Sequence, residues 1–140
     1  MHINPRSLII PGVLGGLSLL ILSFVADALT QFVAPYSIFE VPGMRSITDP
    51  VMMLYFLYPF VFSFISAGFW QIIRESLSKD TKEAAWQFAG ILFVLVVIPN
   101  IWVVFTSMSY PAGFYISNIL SGIIGYPCIG YLNARYNREY

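Results

Sequence analysis

The chain has 140 residues and a formal net charge of zero, with seven lysines and arginines against seven aspartates and glutamates. Only 10 % of its residues are charged and 58 % are hydrophobic, and the mean hydropathy is +0.75. A water-soluble domain carries about 25 % charged residues, so this composition excludes an ordinary soluble globule. The zero net charge and the lack of a basic, aromatic-rich stretch also argue against a nucleic-acid partner.

Four apolar stretches are each long enough to cross a lipid bilayer as an α-helix, which takes about 20 residues for about 30 Å of hydrocarbon. The segments between them are charged or rich in turn-forming residues. We therefore predict an all-α protein, a four-transmembrane-helix bundle that forms a single integral membrane domain over residues 1–140. The predicted helices lie at approximately 8–33, 51–73, 85–107 and 112–132.

Two of the predicted helix starts carry capping signals. Asp49 comes directly before Pro50, whose missing N–H costs nothing at the first position of a helix. Asp80, followed three residues later by Glu83, is a variant of the capping box. These signals predict that the second helix opens at Asp49 and the third at Asp80.

The basic residues predict the orientation of the bundle. When the helices cross in alternating directions, six basic residues fall on the side of the termini and one, Arg45, on the other: Arg6, Arg74, Lys79, Lys82, Arg135 and Arg138. Basic residues are retained on the cytoplasmic side of a membrane. We therefore expect the cytoplasmic membrane as the location, with both the N-terminus and the C-terminus inside the cell.

Small residues recur every four positions in the last helix, and a shorter run occurs in the first helix: Gly113, Ser117, Ser121 and Gly125, with Gly12 and Gly16. This spacing places them along one helix face. Such faces allow the close backbone approach that holds helices together in lipid. They predict helix packing, either within this chain or against a second copy or another subunit.

Asp27 is the one acidic residue well inside an apolar stretch. A carboxylate near the bilayer centre costs about 2.5–3.5 kcal/mol, and Asp27 lies beyond the midpoint of its helix, where the cost is lower. With alternating helix directions, Tyr55, Tyr58, Asn100 and Asn118 fall at similar depths. Two interpretations of Asp27 stay open. In the first, Asp27 is structural and either hydrogen-bonds a neighbouring helix or caps the outer loop. In the second, these five residues form a polar ligand-binding pocket open to the exterior.

Three prolines lie deep inside predicted helices, at Pro59, Pro99 and Pro127. A proline inside a helix removes one backbone donor and frees the carbonyl four residues earlier. Membrane helices tolerate this where neighbouring groups satisfy the freed carbonyl. We expect these prolines to bend their helices.

The segment Asp49–Phe60 (DPVMMLYFLYPF) resembles part of a family of small, uncharacterised four-helix integral membrane proteins of archaea and bacteria. The later layout is also similar, with Phe88-Ala89-Gly90 near the start of one helix and glycines at 122 and 130 in the last. The resemblance covers most of the chain. It implies the same four-helix fold and carries no activity, cofactor or site residue with it.

An enzymatic role is not expected from these residues. Hydrolysis or group transfer needs a nucleophile with a positioned base, or a metal, whereas the chain has one histidine, His2, and one cysteine, Cys128. One chain therefore cannot assemble the usual Cys/His metal site. No cofactor is expected, although haem or lipid ligation completed by another subunit stays open.

Two hypotheses of function follow. The first is a homo-oligomer or an accessory subunit of a larger membrane complex, which packs through the small-residue helix faces. Under it, Gly113→Leu or Gly125→Leu would disrupt assembly. The second is a transporter or receptor for a small or lipophilic ligand, in which Asp27 binds a cation or a proton.

Overall fold

The computed structural model describes residues 4–137, and these residues are helical, without β-strands. Four long helices follow one another along the chain: α1 (Pro5–Val33), α2 (Pro50–Ser76), α3 (Thr81–Ser107) and α4 (Ala112–Tyr136). This confirms the predicted all-α chain, and each of the four helices is long and apolar enough to cross a membrane. Arg138 and His2 lie outside the described residues.

Consecutive helices run in opposite directions, so the bundle has two distinct ends. The connector end carries residues 34–49 and 108–111, and the terminal end carries residues 77–80 with the start of α1 and the finish of α4. All four helices reach further at the terminal end than the sequence predicted. For example, α1 begins at Pro5 because the Asn4 side chain caps it, accepting from the Arg6 N–H at 3.0 Å.

Asp49 caps α2 as predicted. Its Oδ1 accepts from the Val51 N–H at 2.9 Å, and Pro50 occupies the first turn. Its Oδ2 accepts from the Arg45 guanidinium, also at 2.9 Å. The backbone hydrogen bond from Val51, and after it the Arg45 partner, lowers the pKa of the Asp49 carboxyl below its ordinary value.

Asp80 caps α3, and its Oδ1 accepts from the N–H groups of Lys82 and Glu83, each at 3.0 Å. In a capping box the Glu83 side chain accepts directly from the Asp80 N–H, but here Ser78 lies between them. The Asp80 N–H donates to Ser78 Oγ at 3.2 Å, and this hydroxyl donates to Glu83 Oε2 at 2.7 Å. Ser78 therefore bridges the two positions that the sequence pattern paired directly.

Two of the predicted prolines coincide with a change of helix type. The first eight residues of α2, Pro50–Leu57, form a 3₁₀-helix. Pro59 has no N–H to donate to the Tyr55 carbonyl, and the Tyr58 N–H donates to that carbonyl instead. In α3 the segment Phe93–Val97 is a π-helix and ends two residues before Pro99. Pro127 lies inside an α-helix that continues to Tyr136.

A fourth helix-interior proline, Pro11 in α1, lies where side chains from other parts of the chain bond to the α1 backbone. Pro11 cannot donate to the Ser7 carbonyl, and the Asn137 Nδ2 donates to that carbonyl at 3.4 Å and to the Asn133 carbonyl at 3.0 Å. The carbonyl of Pro11 accepts from Ser63 Oγ of α2 at 3.1 Å. The carbonyls of Pro11 and Ser7 therefore link α1 by hydrogen bonds to α2 and to Asn137, the residue that follows α4.

α1 lies between two neighbours, because it packs along α2 on one side and along α4 on the other. α3 packs against α4. Near the terminal end the rings of Trp70 and Phe88 meet edge to face, with centroids 4.9 Å apart, and join α2 to α3. Because α1 and α4 pack along each other in opposite directions, the connector end of α1 lies beside the start of α4.

The predicted small-residue face of α1 is covered by α2. A Cβ at Gly12 would overlap the ring of Phe64, and a Cβ at Gly16 would overlap the ring and backbone of Phe60. Both glycines are buried. This face therefore serves contacts within the chain.

The small-residue face of α4 is also covered by this chain. Gly125 is buried against the tip of Leu19, and Gly130 lies so close to the Ala85 backbone that a Cβ there would overlap it. Ser121 is half-buried. Small residues of α4 thus make room for a side chain of α1 at Gly125 and for the backbone of α3 at Gly130.

The outward surfaces of the helices are apolar. Between 22 % and 33 % of the most apolar window of each helix is buried inside the chain. Large side chains such as Trp102 and Phe105, each 71 % exposed, point outward. A surface of this kind is suited to lipid, in which apolar side chains need no cover.

Candidate functional site at Asp27

Asp27 lies on α1 near its connector end and is exposed at the surface of the bundle. Its Oδ1 accepts two hydrogen bonds. One comes from the Tyr36 hydroxyl in the connector at 3.1 Å, and the other from Oγ of Ser117 on α4, which is a short contact. Ser117 is buried. The carboxylate therefore joins α1, α4 and the connector between α1 and α2.

Gln31 holds Tyr36 in place. The chain leaves α1 at Ala34, and Gln31 then bonds to both backbone groups of Tyr36: its Nε2 donates to the carbonyl at 2.8 Å, and its Oε1 accepts from the N–H at 3.3 Å. This pair folds the connector back over the end of α1. The Tyr36 hydroxyl thereby reaches the carboxylate nine residues earlier in the chain.

Gly113 makes room for this turn at the start of α4. A Cβ at Gly113 would overlap the Ala34 carbonyl oxygen and the ring of Tyr36. The carbonyl belongs to the backbone, so a rotamer change cannot relieve that overlap. Gly113 was predicted as a helix-packing residue, and the structure shows that it accommodates the connector beside Asp27.

The Asp27 carboxylate has no cationic partner among residues 4–137. The one ion pair in this part of the chain joins Arg45 to Asp49, at 2.9 Å. Hydrogen bonds within the described residues reach Oδ1 of Asp27 and leave Oδ2 without one. The site is therefore a carboxylate whose second oxygen is available to a ligand.

Tyr36 is half-buried beside this charge. Burial raises the pKa of Tyr36 from 10.0 to about 12; the Ser117 hydroxyl opposes the rise, and the Asp27 carboxylate adds to it. The phenol is protonated at neutral pH even at its ordinary pKa, and it acts as a hydrogen-bond donor to Asp27.

Aromatic side chains of α1 and α2 lie in the same region of the surface as Asp27. The ring of Phe56 lies edge to face with Tyr55, with centroids 5.9 Å apart, and is stacked on Phe24 of α1 at 6.4 Å. Since Phe24 lies one turn before Asp27, these rings and the carboxylate occupy one region of the surface.

The other residues of the predicted pocket do not bond to Asp27. Tyr58 packs against Phe62, with centroids 6.0 Å apart. The Asn118 amide donates to the Phe114 carbonyl within its own helix at 2.7 Å. Asn100 is exposed on α3. Of the five predicted residues, Tyr55 belongs to the group of rings near Asp27. Within residues 4–137 no hydrogen bond or ring contact joins Tyr58, Asn100 or Asn118 to the carboxylate or to those rings.

An apolar cavity of about 300 Å³ lies between α3 and α4, and Asp27 is not part of its lining. The lining residues are Phe93, Val97, Ile98, Ile101, Trp102, Phe105 and Ile119. The cavity offers shape and apolar contact without a charged group. It is therefore separate from the Asp27 site.

Tyr36 is the residue of this site that the sequence did not single out. In sequence it is one tyrosine near the end of a helix, which is typical of a membrane-interface aromatic. The preceding Gln31 is the one local signal, because a glutamine amide can bond to both backbone groups of a residue in a following turn. The spacing alone does not reveal that bond.

Residues 4–137 contain no group of three or more His, Cys, Asp or Glu side chains that could hold a metal ion. Comparison of the chain with protein-family models, with curated proteins and with solved structures finds no match. The chemistry of its own residues is therefore the basis for any functional assignment.

Proposed function

We propose that this chain is an integral protein of the cytoplasmic membrane that crosses it four times, with both termini in the cytosol. Four helices of sufficient length and apolarity support the crossings. The orientation is supported by the basic residues, because Arg6, Arg74, Lys79 and Lys82 lie at the terminal end and Arg45 lies at the connector end. The same four-helix design is what the resemblance of segment Asp49–Phe60 implies.

In this orientation Asp27 lies near the outer surface of the membrane, and we propose that it is the binding group of a non-enzymatic receptor or transporter. The ligand is small or lipophilic and carries a positive charge. One observation carries this proposal: the carboxylate is held by two hydroxyl donors and lacks a cationic partner among the described residues.

The energetics favour a cationic ligand over an empty site. A charged side chain in the apolar part of a membrane is costly unless it is paired or hydrogen-bonded. The hydroxyls of Tyr36 and Ser117 both donate to Oδ1 and thereby fix the position of the carboxylate. A cation at the free Oδ2 would add a charge-assisted contact, which is worth more than a neutral hydrogen bond.

The experiment follows the Asp27 side chain directly. The protein is labelled with ¹³C at its aspartate carboxyls, placed in lipid nanodiscs and studied by NMR. The Asp27 resonance is the one that is lost in Asp27→Asn. This resonance is followed while inorganic and organic cations are added. We expect a saturable shift of this resonance with at least one cation. Glu40→Gln, which removes an exposed carboxylate of the same connector, should leave the shift unchanged. A resonance that responds to none of the cations contradicts the proposal.

A homo-oligomer or an accessory subunit is the second candidate function. The faces predicted for this role, at Gly12, Gly16 and Gly125, are covered by the chain itself. An assembly would therefore use outward apolar side chains such as Trp102 and Phe105 of α3, each 71 % exposed. The mass of the detergent-solubilised particle, measured for the native chain and for Trp102→Ala, distinguishes a monomer from an oligomer built through α3.

A further inference from the structure

We infer that the ligand of the Asp27 site is an organic ammonium group, whose charge binds the carboxylate while its alkyl groups contact the rings of Tyr55 and Phe56. This inference rests on the proposed function and names the class of cation. An ammonium group of this kind occurs in free alkylamines and in the choline headgroup of a lipid.

The first argument is the local charge. Asp27 is exposed, and within residues 4–137 it has no ion-pair partner that a ligand would have to displace. Arg45, the basic residue nearest in sequence on this side of the bundle, is bonded to Asp49 at 2.9 Å. The site therefore attracts a cation and is not neutralised by the described chain.

The second argument is the aromatic surface beside the charge. Tyr55 is 64 % exposed and Phe24 is 55 % exposed, while Phe56 connects them through ring contacts at 5.9 and 6.4 Å. The faces of aromatic rings attract alkylammonium ions through their quadrupole, and such ions are recognised in proteins by several rings together. A carboxylate among accessible rings matches that chemistry.

The third argument excludes a hard inorganic cation as the best occupant. Calcium takes six to eight oxygen ligands, and magnesium takes an octahedral set. Asp27 supplies one carboxylate, whose Oδ1 already accepts from Tyr36 and Ser117. The ring contacts of Phe24 place Phe56 and Tyr55 of α2 in the same region. An alkylammonium ion needs only the charge and the ring faces.

The position of the site makes both sources of ammonium accessible. Asp27 is about two turns from the end of α1 at Val33, which in the proposed orientation is the outer end of the helix. A lipid choline group would enter sideways from the bilayer, and a free alkylamine would enter from the water. The two share the same contacts with Asp27 and Tyr55.

The experiment measures tetramethylammonium binding to the full chain in nanodiscs of digalactosyldiacylglycerol, a neutral lipid without an ammonium group. Saturation-transfer NMR on the methyl protons reports contact, and its concentration dependence gives the affinity. We expect Asp27→Asn to weaken binding about tenfold or more. We expect Tyr55→Leu to weaken it about two- to fivefold, while Tyr55→Phe, which keeps the ring, stays within about twofold.

The controls separate this inference from the proposed function. If the Asp27 carboxyl responds to sodium but not to tetramethylammonium, the ammonium inference is overturned and the proposed cation site stands. If Asp27 responds to no cation, both fall. If Asp27→Asn weakens binding but Tyr55→Leu does not, the aromatic part of the inference is overturned.

The source of the ammonium group is read from a second lipid. In phosphatidylcholine nanodiscs a lipid headgroup that occupies the site will compete, and the apparent affinity for tetramethylammonium should fall by at least about threefold relative to the galactolipid. Equal affinities in the two lipids identify a free ammonium compound as the ligand. In both results Asp27→Asn must lower binding, or the contact is non-specific and the inference is overturned.

Discussion

At the scale of single residues, Gly113 determines whether the Asp27 site can form. The Ala34 carbonyl and the Tyr36 ring occupy the space that a side chain at position 113 would need. The connector can turn back toward Asp27 only because that space is free. Gly113 thus acts on the site through Tyr36, without contacting the carboxylate itself in any bond that the structure shows.

We predict that Gly113→Ala destabilises the protein by about 1–3 kcal/mol, the usual cost of forcing extra atoms into a packed site. Thermal unfolding in detergent, followed by circular dichroism, measures the change. Gly90→Ala is the matched control, because Gly90 is helical and has open space around its Cβ position. It should raise stability by about 0.5–1 kcal/mol, the gain expected from replacing a helix-interior glycine. Equal effects at the two positions would contradict the assigned role of Gly113.

At the scale of the helices, proline explains most of the departures from regular α-helix. Pro59 follows a 3₁₀ segment, and Pro99 follows a π-helical turn, in which the Ile98 N–H donates to Phe93 five residues back. A helix that loses one donor can shift its bonding register nearby so that fewer carbonyls are left unpaired. Two of the three predicted prolines, Pro59 and Pro99, therefore lie next to a change of helix type, whereas Pro127 lies within a continuous α-helix.

At Pro11 the freed carbonyl is satisfied by a side chain, so the effects of substitutions at Pro11 and Asn137 should be energetically coupled. The Asn137 amide satisfies the Ser7 carbonyl that Pro11 leaves free. We predict that Asn137→Leu costs about 1–3 kcal/mol in the native chain, the penalty for an unpaired buried polar group. In a Pro11→Ala background the alanine N–H can reach Ser7, so the same substitution should cost measurably less.

The four variants of this double-mutant cycle are compared by thermal or denaturant unfolding in the same detergent. A coupling energy near zero would mean that the Asn137 amide does not replace the missing Pro11 donor. The second bond of Asn137, to the Asn133 carbonyl at 3.0 Å, is lost in both backgrounds. It therefore cancels in the comparison.

At the scale of the whole molecule, large apolar side chains lie on the outer surface as well as in the core, unlike those of a soluble bundle. Buried apolar residues such as Phe88 and Ile129 lie together with small and polar ones such as Ser63 and Asn133, and large apolar residues also face outward. Small and hydrogen-bonding residues at helix contacts are what packing in lipid requires, because lipid supplies little hydrophobic drive between helices. The proposed membrane location follows from this apolar outer surface, and the proposed orientation follows from the basic residues at the terminal end.

We predict that the connector end is accessible from outside the cell and the terminal end is not. Single cysteines are introduced at Glu40 and at Glu75, both exposed, in a Cys128→Ala background. A membrane-impermeant maleimide should label Glu40→Cys on intact cells and label Glu75→Cys only after lysis. The reverse pattern would invert the proposed topology, and it would place Asp27 on the cytosolic side.

The sequence by itself determined the four helices, because a membrane-spanning helix is recognised from the length and hydropathy of one continuous segment. It also identified the caps at Asp49 and Asp80, since a cap is a local interaction over two or three residues, and it singled out Asp27 as an isolated charge in an apolar stretch. Only the tertiary structure decided what Asp27 contacts. Ser117 is 90 residues away in the chain and Tyr36 is placed by a turn, so both contacts depend on how α1 and α4 pack, which no local pattern encodes.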